Sequence, residues 1–520
     1  MNADTDVLII GTGFSGLGMA IRMLEAGMKD FTILERASDV GGTWRDNHYP
    51  GVACDVPSHL YSFSFEQNPR WSRLFAPQPE ILRYLQHCAD KYGIRPRIHF
   101  DSCVVGAVFD ERHGLWTVET QDGRTFRSRV LIAGTGGLSR PSYPDIAGAE
   151  RFAGKTFHTA RWDHDYPLEG KRVAVIGTGA SAIQIVPSIV ERVGYLSLFQ
   201  RTPAWVLPKP DLRIGERAQK RFADHPWLQR TLRNALYWLM ESRALGFTNT
   251  IPSMQLSAEK QARAFLEREV RDETLRAKLT PNYRIGCKRI LISNDYYAAL
   301  QRDNAAVVSE GIREIRAHSI VTSDGTEHFV DAIVYATGFQ AAESVAPFEI
   351  HGRAGRELNR EWRDGAEAYL GISISGFPNL FMLTGPNTGL GHNSMVFMIE
   401  SQIQYVLDSL RQMRERKLGW VDVKSAIQRA YNEKLQIRLA KTVWATGGCV
   451  SWYKTSSGKN TTLWPGFTFE YRVRTRQFDA QNYELSPVSP ERARPVRPER
   501  SIEAPARDGI ALDRASTQNP

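Results

Sequence analysis

Apolar positions along the chain fall into one pattern that occurs twice. Val7-Leu-Ile-Ile10 is an unbroken apolar run that ends on the loop Gly11-Thr-Gly13-Phe14-Ser15-Gly16. Residues 17–26 then read as a helix, and Phe31-Thr-Ile-Leu34 is a second short run closing on Glu35. Short continuous runs bounded by glycine predict strands buried on both faces, and the order strand, loop, helix, strand predicts a βαβ unit. The order returns at Val173-Ala-Val-Ile176, Gly177-Thr178-Gly179-Ala-Ser181-Ala182, a helix to Glu191 and Tyr195-Leu-Ser-Leu-Phe199. Two such units predict an α/β protein with two Rossmann-like dinucleotide-binding domains.

Between about residues 211 and 280 the period changes. Leu228, Leu232, Ala235, Leu236, Leu239 and Met240 recur near helical spacing and predict an all-helical insertion with an apolar, inward stripe. Core or lid packing is favoured there over a helix lying on a membrane surface. Strands resume near Ala306 and Val330, and a second long helix is predicted from His392 to Met413. Residues 486–520, rich in Pro and Arg and free of aromatic residues, predict a disordered tail.

Composition narrows the class. At 520 residues and 42% apolar, the chain is long enough for two or three cores. The formal charge of +9 comes from scattered residues, with no Lys/Arg block or RNA-binding signature, so no nucleic-acid partner is expected. No apolar run approaches the roughly 20 residues a membrane span needs. The five cysteines form no C-x-x-C pair, which together with the acidic N-terminus predicts a reduced, cytoplasmic protein with no signal peptide. Histidine and cysteine spacing predicts no metal site.

The two glycine loops differ where it matters. Glu35 closes the second strand of the first unit, and the same step from Gly177 lands on Arg201. A carboxylate there accepts hydrogen bonds from a ribose 2′-OH, whereas a guanidinium suits a 2′-phosphate. The second site is therefore expected to take NADPH, and the first an adenosine lacking that phosphate.

Further motifs point to one family. Phe152-Ala-Gly154-Lys-Thr-Phe-His158-Thr-Ala-Arg-Trp162-Asp163 fits F-x-G-x-x-x-H-x-x-x-W-[P/D]. Gly41-Gly42-Thr43-Trp44 through Asp55 to Tyr61 fits a flavin-embracing segment, and Ala336-Thr-Gly338 a late A-T-G motif. Together these resemble the type I Baeyer–Villiger monooxygenases over about residues 4–485. The ending Trp162-Asp163 resembles the ketone-oxidising branch, not the flavin-containing monooxygenases that act on sulfur or nitrogen.

The resemblance implies FAD in the first domain (residues 1–147 and 346–485) and NADP in the second (148–210 and 285–345), with the insertion at 211–284. It implies that reduced FAD captures O2 at its C4a carbon and that the resulting peroxide attacks a ketone, giving an ester or lactone. Arg289 then resembles the catalytic arginine and Asp55 the carboxylate that pairs with it. Contacts to FAD are implied for Gly11, Gly13, Phe14, Ser15, Gly16, Glu35, Gly42, Thr43, Trp44, Asp55, Tyr61, Val104 and Met395. Contacts to NADP are implied for Gly177, Thr178, Gly179, Ser181, Ala182, Gln184, Arg201, Thr202, Lys288, Arg289 and Trp452. Phe152, Gly154, His158, Trp162 and Asp163 are expected on an interdomain linker that couples domain movement to chemistry, and His392 is expected to cap a helix.

Three rival readings remain. A disulfide oxidoreductase would need a redox cysteine pair after the first βαβ unit, where Gly41-Gly42-Thr43-Trp44 stands instead. A redox sensor would bind both nucleotides without turnover. A sulfur or nitrogen oxygenase would share the flavin chemistry. The expected partners are a small ketone and O2.

Overall fold

The computed structural model describes residues 3–340 and 348–488. Its first sheet is built around strand Thr5–Ile10, which pairs in parallel with Phe31–Leu34 and with Thr125–Ala133. Strand Leu380–Met382 returns late in the chain to pair in parallel with Thr125–Ala133. An antiparallel meander, Val104–Asp110, Leu115–Thr120 and Thr125–Ala133, extends one side, and Glu349–His351 adds to its edge. Helix Phe14–Glu25 packs on one face, against the long helix Met395–Glu415.

The second sheet has five parallel strands, in the order Ala305–Val308, Tyr195–Phe199, Arg172–Ile176, Ala332–Tyr335 and Lys155–His158. Residues 173–176 and 332–334 are buried throughout, the expected signature of strands covered on both faces. Gly11 and Gly177 occupy matching positions, with φ of +95° and +116°. A Cβ on Gly11 would come within 2.8 Å of the Gly134 carbonyl oxygen, and one on Gly177 within 2.4 Å of that of Ala336. Only glycine lets each loop press so close to the neighbouring strand's end.

The insertion is helical, as the periodicity predicts: Glu216–Asp224, Pro226–Ser242, Ala244–Phe247, Pro252–Glu269 and Glu273–Leu279. Its buried face is only partly the predicted stripe: Met240 is buried and Leu228, Leu232 and Leu236 are half-buried, but Ala235 is exposed. In helix Pro226–Ser242 the buried residues are Gln229, Arg233, Met240 and Glu241, while Leu239 and Trp238 are exposed. Hydrogen bonding turns the helix. Gln229 donates to the His59 ring and to the Asn68 carbonyl, and Arg233 donates to the carbonyls of His59 and Leu60. Glu241 accepts from the Asn393 amide and from both the backbone and hydroxyl of Thr468.

Five other expectations change. The fingerprint is not a free linker, because Lys155–His158 is the edge strand of the second sheet. The second long helix starts at Met395 and is capped by Ser394, whose hydroxyl accepts from the Val396 amide. His392 does not cap; it lies buried beside Glu241. Residues 486–487 belong to strand Tyr483–Pro487, paired with Leu418–Val423, because backbone pairing satisfies them there. The rest of the expected tail, from 489 on, lies outside the described residues, as does the boundary near 345. Finally, Cys287 and Cys449 form a disulfide with Cα atoms 6.1 Å apart. They are 162 positions apart in the chain, so their encounter depends on the fold and leaves no local sequence pattern.

Gly154 shows why the fingerprint needs its glycine. A Cβ there would sit 2.5 Å from the Asp331 carbonyl oxygen and 2.6 Å from the Phe152 ring. We expect Gly154→Ala to cost about 1–3 kcal/mol through overpacking. Thermal unfolding checks this, and an unchanged midpoint would remove the steric account.

Candidate active site

The flavin-embracing segment folds back onto the first glycine loop, with the Gly41 amide donating to the Thr12 carbonyl. Helix Phe14–Glu25, following that loop, has neither a side-chain cap nor an acidic residue in its first turn. Its open amide groups suit an anionic pyrophosphate. Gly13, Ser15 and Gly16 lie at this end, with Phe14 edge-on to Tyr61. The Trp44 indole also donates to the Tyr61 hydroxyl, at 3.2 Å. Gly42 and Thr43 open the short helix Thr43–Asp46. Glu35 is buried and accepts from the Thr12 amide and hydroxyl and the Ala37 amide, with Arg45 3.0 Å away. It braces the glycine loop from below. Val104 and Met395 are partly buried, at the start of a strand and a helix respectively.

The second loop repeats the arrangement. Helix Ala182–Ile189 also lacks a side-chain cap and first-turn acids, and no heavy atom lies within 4 Å of a Cβ built on Gly179. Thr178 ties the loop to the end of the next strand by donating to the Thr202 carbonyl. Gln184 accepts from the Tyr49 hydroxyl and donates to the Ala53 carbonyl, so it bolts this helix to the flavin segment. Arg201 is exposed, and Lys288 is near enough that burial and the Arg201 charge together lower its ammonium pKa. Among the described residues neither cation has an acidic partner. Two like charges held together without a counter-ion make a ready site for a phosphate.

Arg289 follows directly and has the opposite arrangement. Its Nε and Nη2 donate to the two Asp55 oxygens, each at 2.6 Å, in a bidentate pair. Burial pushes the Asp55 carboxyl up, but the Arg289 charge and hydrogen bonds outweigh it and leave the group below the ordinary carboxylate range. The Asp55 charge in turn raises Arg289, against desolvation. The pair therefore stays ionised at any pH near neutral. Beside it, burial pushes the Cys54 thiol up, so it supplies no thiolate.

Trp452 is 46% exposed, whereas its neighbour Tyr453 is 1% exposed, in one apolar cluster with Cys287, Trp205 and Phe247. The Tyr453 hydroxyl has no hydrogen-bond partner among the described residues. Burial raises it to about 12 while the Arg289 charge pulls it down, so it stays protonated near the ion pair. Sequence reasoning passed over Tyr453; its adjacency to Trp452 was the available signal.

In the fingerprint, Trp162 packs edge-on against Phe157, with Tyr49 of the flavin segment in the same buried cluster. Asp163 pairs with Lys155 at 2.5 Å and accepts from the Asp165 amide. Phe152 packs on the far side of the sheet. The buried His158 ring accepts from the Ala160 amide at 3.1 Å. Burial lowers it to about 4, with the Gly338 backbone opposing, so it is neutral at pH 7. That rules against acid–base duty and fits a joint between segments.

Two sheets, one wholly parallel and one parallel around its central strand, each with a glycine loop facing an uncapped helix and with a guanidinium set between them, define a flavoprotein with two dinucleotide folds. The profile described as "Pyridine nucleotide-disulphide oxidoreductase" matches residues 8–226, the stretch containing both loops. A Baeyer–Villiger monooxygenase of Pseudomonas aeruginosa is 52% identical over 92% of this chain and 91% of its own length. A solved "Oxidized steroid monooxygenase bound to NADP" superposes with a TM-score of 0.82 at 32% identity, covering 93% of this chain and 99% of that one. The "OTEMO complex with FAD and NADP" gives 0.83 at 28% identity, over 94% and 100%. The chain belongs to the Baeyer–Villiger monooxygenases. The wording of the matched profile does not revive the thiol reading, since Cys54 is buried and unpaired.

His59, like His158, is buried, and burial with the Arg233 charge lowers it to about 4. Both rings are neutral when folded but titrate near 6.5 when unfolded, so the unfolded state binds more protons between those values. Their contribution is complete above about pH 6.5 and declines as pH falls toward 4, by roughly 3 kcal/mol each at most. The unfolding midpoint should drop between pH 7.5 and 5, and less so in His158→Asn. A midpoint independent of pH over that range contradicts the burial argument.

Proposed function

We infer that this chain is an FAD- and NADPH-dependent Baeyer–Villiger monooxygenase that inserts one oxygen atom of O2 beside a ketone carbonyl, giving an ester or lactone. Bound FAD, once reduced by NADPH, supplies the reactive oxygen. The observation that carries the residue assignment is the Asp55–Arg289 pair, which joins the flavin segment to the segment following the insertion. Arg289 provides a permanent cation beside the reacting centre. It stabilises negative charge on the attacking oxygen and on the former carbonyl oxygen, where a preorganised donor acts most strongly. Asp55 holds the guanidinium plane and keeps it from swinging to solvent. Arg201 and Lys288 grip the 2′-phosphate, and the open amide ends of helices Phe14–Glu25 and Ala182–Ile189 receive the two pyrophosphates. Trp162, His158 and Gln184 transmit position between the two sheets. We place the protein in the cytoplasm, where NADPH is supplied.

Arg289→Ala should still bind FAD and be bleached by NADPH, yet lose about 2.7–4 kcal/mol of transition-state stabilisation, 10²–10³ in ester formation. Its reducing equivalents should leave as hydrogen peroxide. Stopped-flow reduction beside ester analysis on a ketone panel decides; near-normal ester yield removes Arg289 from the role.

Arg201→Ala should lower kcat/KM for NADPH by roughly 1.5–3 kcal/mol, the value of a hydrogen bond to a charged group, and leave NADH almost unchanged. Equal losses on both cofactors would mean that Arg201 does not read the 2′-phosphate.

A further inference from the structure

The Cys287–Cys449 disulfide joins two stretches that both border the proposed site. Cys287 lies two residues before Arg289, and Cys449 three before Trp452 and four before Tyr453. Hydrogen bonding and close packing reinforce the junction. The Arg284 amide donates to the Gly447 carbonyl at 3.0 Å, and a Cβ on Gly447 would strike the Cys287 Cβ at 2.6 Å. From Gly447 to Tyr453 the backbone has neither helix nor strand, and Val450 is 82% exposed. Such a segment has few contacts of its own to fix it. Its anchors are the cross-link at one end and the buried Tyr453 ring at the other.

We propose that the Cys287–Cys449 cross-link is a positioning clasp that holds the 447–453 segment over Arg289, and that its opening to two thiols uncouples NADPH oxidation from ester formation. This rests on the reading of Arg289 as the oxygenation cation. With the clasp closed, Tyr453 is plugged into the apolar cluster that contains Cys287, and its ring excludes water beside the ion pair. With the clasp open, the segment keeps only the Arg284–Gly447 hydrogen bond and the Tyr453 ring as anchors and loses its registration to Arg289. Water then reaches the centre, and the reduced flavin's electrons go to hydrogen peroxide. Opening is a two-electron exchange. A dithiol attacks one sulfur, forms a mixed disulfide, and closes on itself to release both protein thiols while becoming a cyclic disulfide. The reductant is thus a small or protein dithiol, the class that keeps cytoplasmic thiols reduced.

The test uses the full-length holoenzyme, well below its unfolding midpoint. Thiol alkylation and mass spectrometry count the bridge before and after treatment with dithiothreitol. Ester, hydrogen peroxide and the rate of flavin bleaching by NADPH are measured on the same samples. Reduced protein and Cys449→Ser should bleach at the parent rate, while the ratio of peroxide to ester rises at least roughly tenfold, as for a group displaced by about an ångström. Dithiothreitol should have no further effect on Cys449→Ser. A bridge that merely stabilises the fold would lower the unfolding midpoint and leave the ratio unchanged, which overturns the proposal. So would finding both thiols free in the active oxidised enzyme. If Arg289→Ala also retains its ester yield, the fault lies in the reading of Arg289; if Arg289→Ala loses ester while opened protein does not, it lies in the clasp.

Discussion

The Asp55–Arg289 pair is the constraint on which the rest of the arrangement turns. Its partners stand 234 positions apart, and each is supplied by a different half of the molecule. A half-buried pair of this kind is poor evidence of stability, because desolvation consumes much of the attraction, but losing one partner leaves a stranded charge. The pair therefore forms only when the flavin segment and the segment following the insertion have met. Its geometry then follows from theirs. Gln184 bolts helix Ala182–Ile189 to Tyr49 and to Ala53, which lies two residues from Asp55, so the distance between the glycine loops and the ion pair is set by direct hydrogen bonds.

Charge is apportioned between adjacent residues. Lys288 and Arg201 have no counter-ion among the described residues and repel each other, a state relieved when a phosphate arrives. Arg289, one position further, has its counter-ion built in and is unchanged by titration near neutrality. In the proposed reading one neighbour is a binding cation whose partner is exchangeable, and the other is a fixed source of field. Trp162 and His158 carry no charge at pH 7, so the coupling proposed for them works through packing and stands apart from the electrostatics of Arg289.

How much of this was legible in the sequence depends on the range of the interaction. Both βαβ units, Glu35, Arg201 and the flavin segment could be read from local order, since a strand, a glycine loop and a helix start are specified by a dozen contiguous residues. The Asp55–Arg289 pairing came from family resemblance, and the structure brings the two together. What failed were faces and partners. The stripe in helix Pro226–Ser242 predicts leucines inward, yet those leucines are at most half-buried, and Gln229, Arg233 and Glu241 are buried beside Met240 because donors and acceptors on the 59–68 loop and at Thr468 await them. Periodicity records where apolar residues recur, not whether the opposing surface is polar. The disulfide escaped because its two cysteines lie 162 positions apart and meet only through the fold.

The insertion's polar seat has a thermal consequence. Apolar association weakens on cooling, whereas hydrogen bonds to buried charges such as Arg233 and Glu241 do not depend on the entropy of water in that way. The two sheet cores, packed with Val, Ile and Leu, therefore soften first as temperature falls. Helix Pro226–Ser242, anchored by Gln229 and Arg233 at one end and Glu241 at the other, keeps its register, whereas the later insertion helices share the apolar core through Phe265, Leu266 and Leu279. Low temperature thus loosens the Val-, Ile- and Leu-packed sheet cores before it loosens the polar contacts that tie helix Pro226–Ser242 to the 59–68 loop and to Thr468.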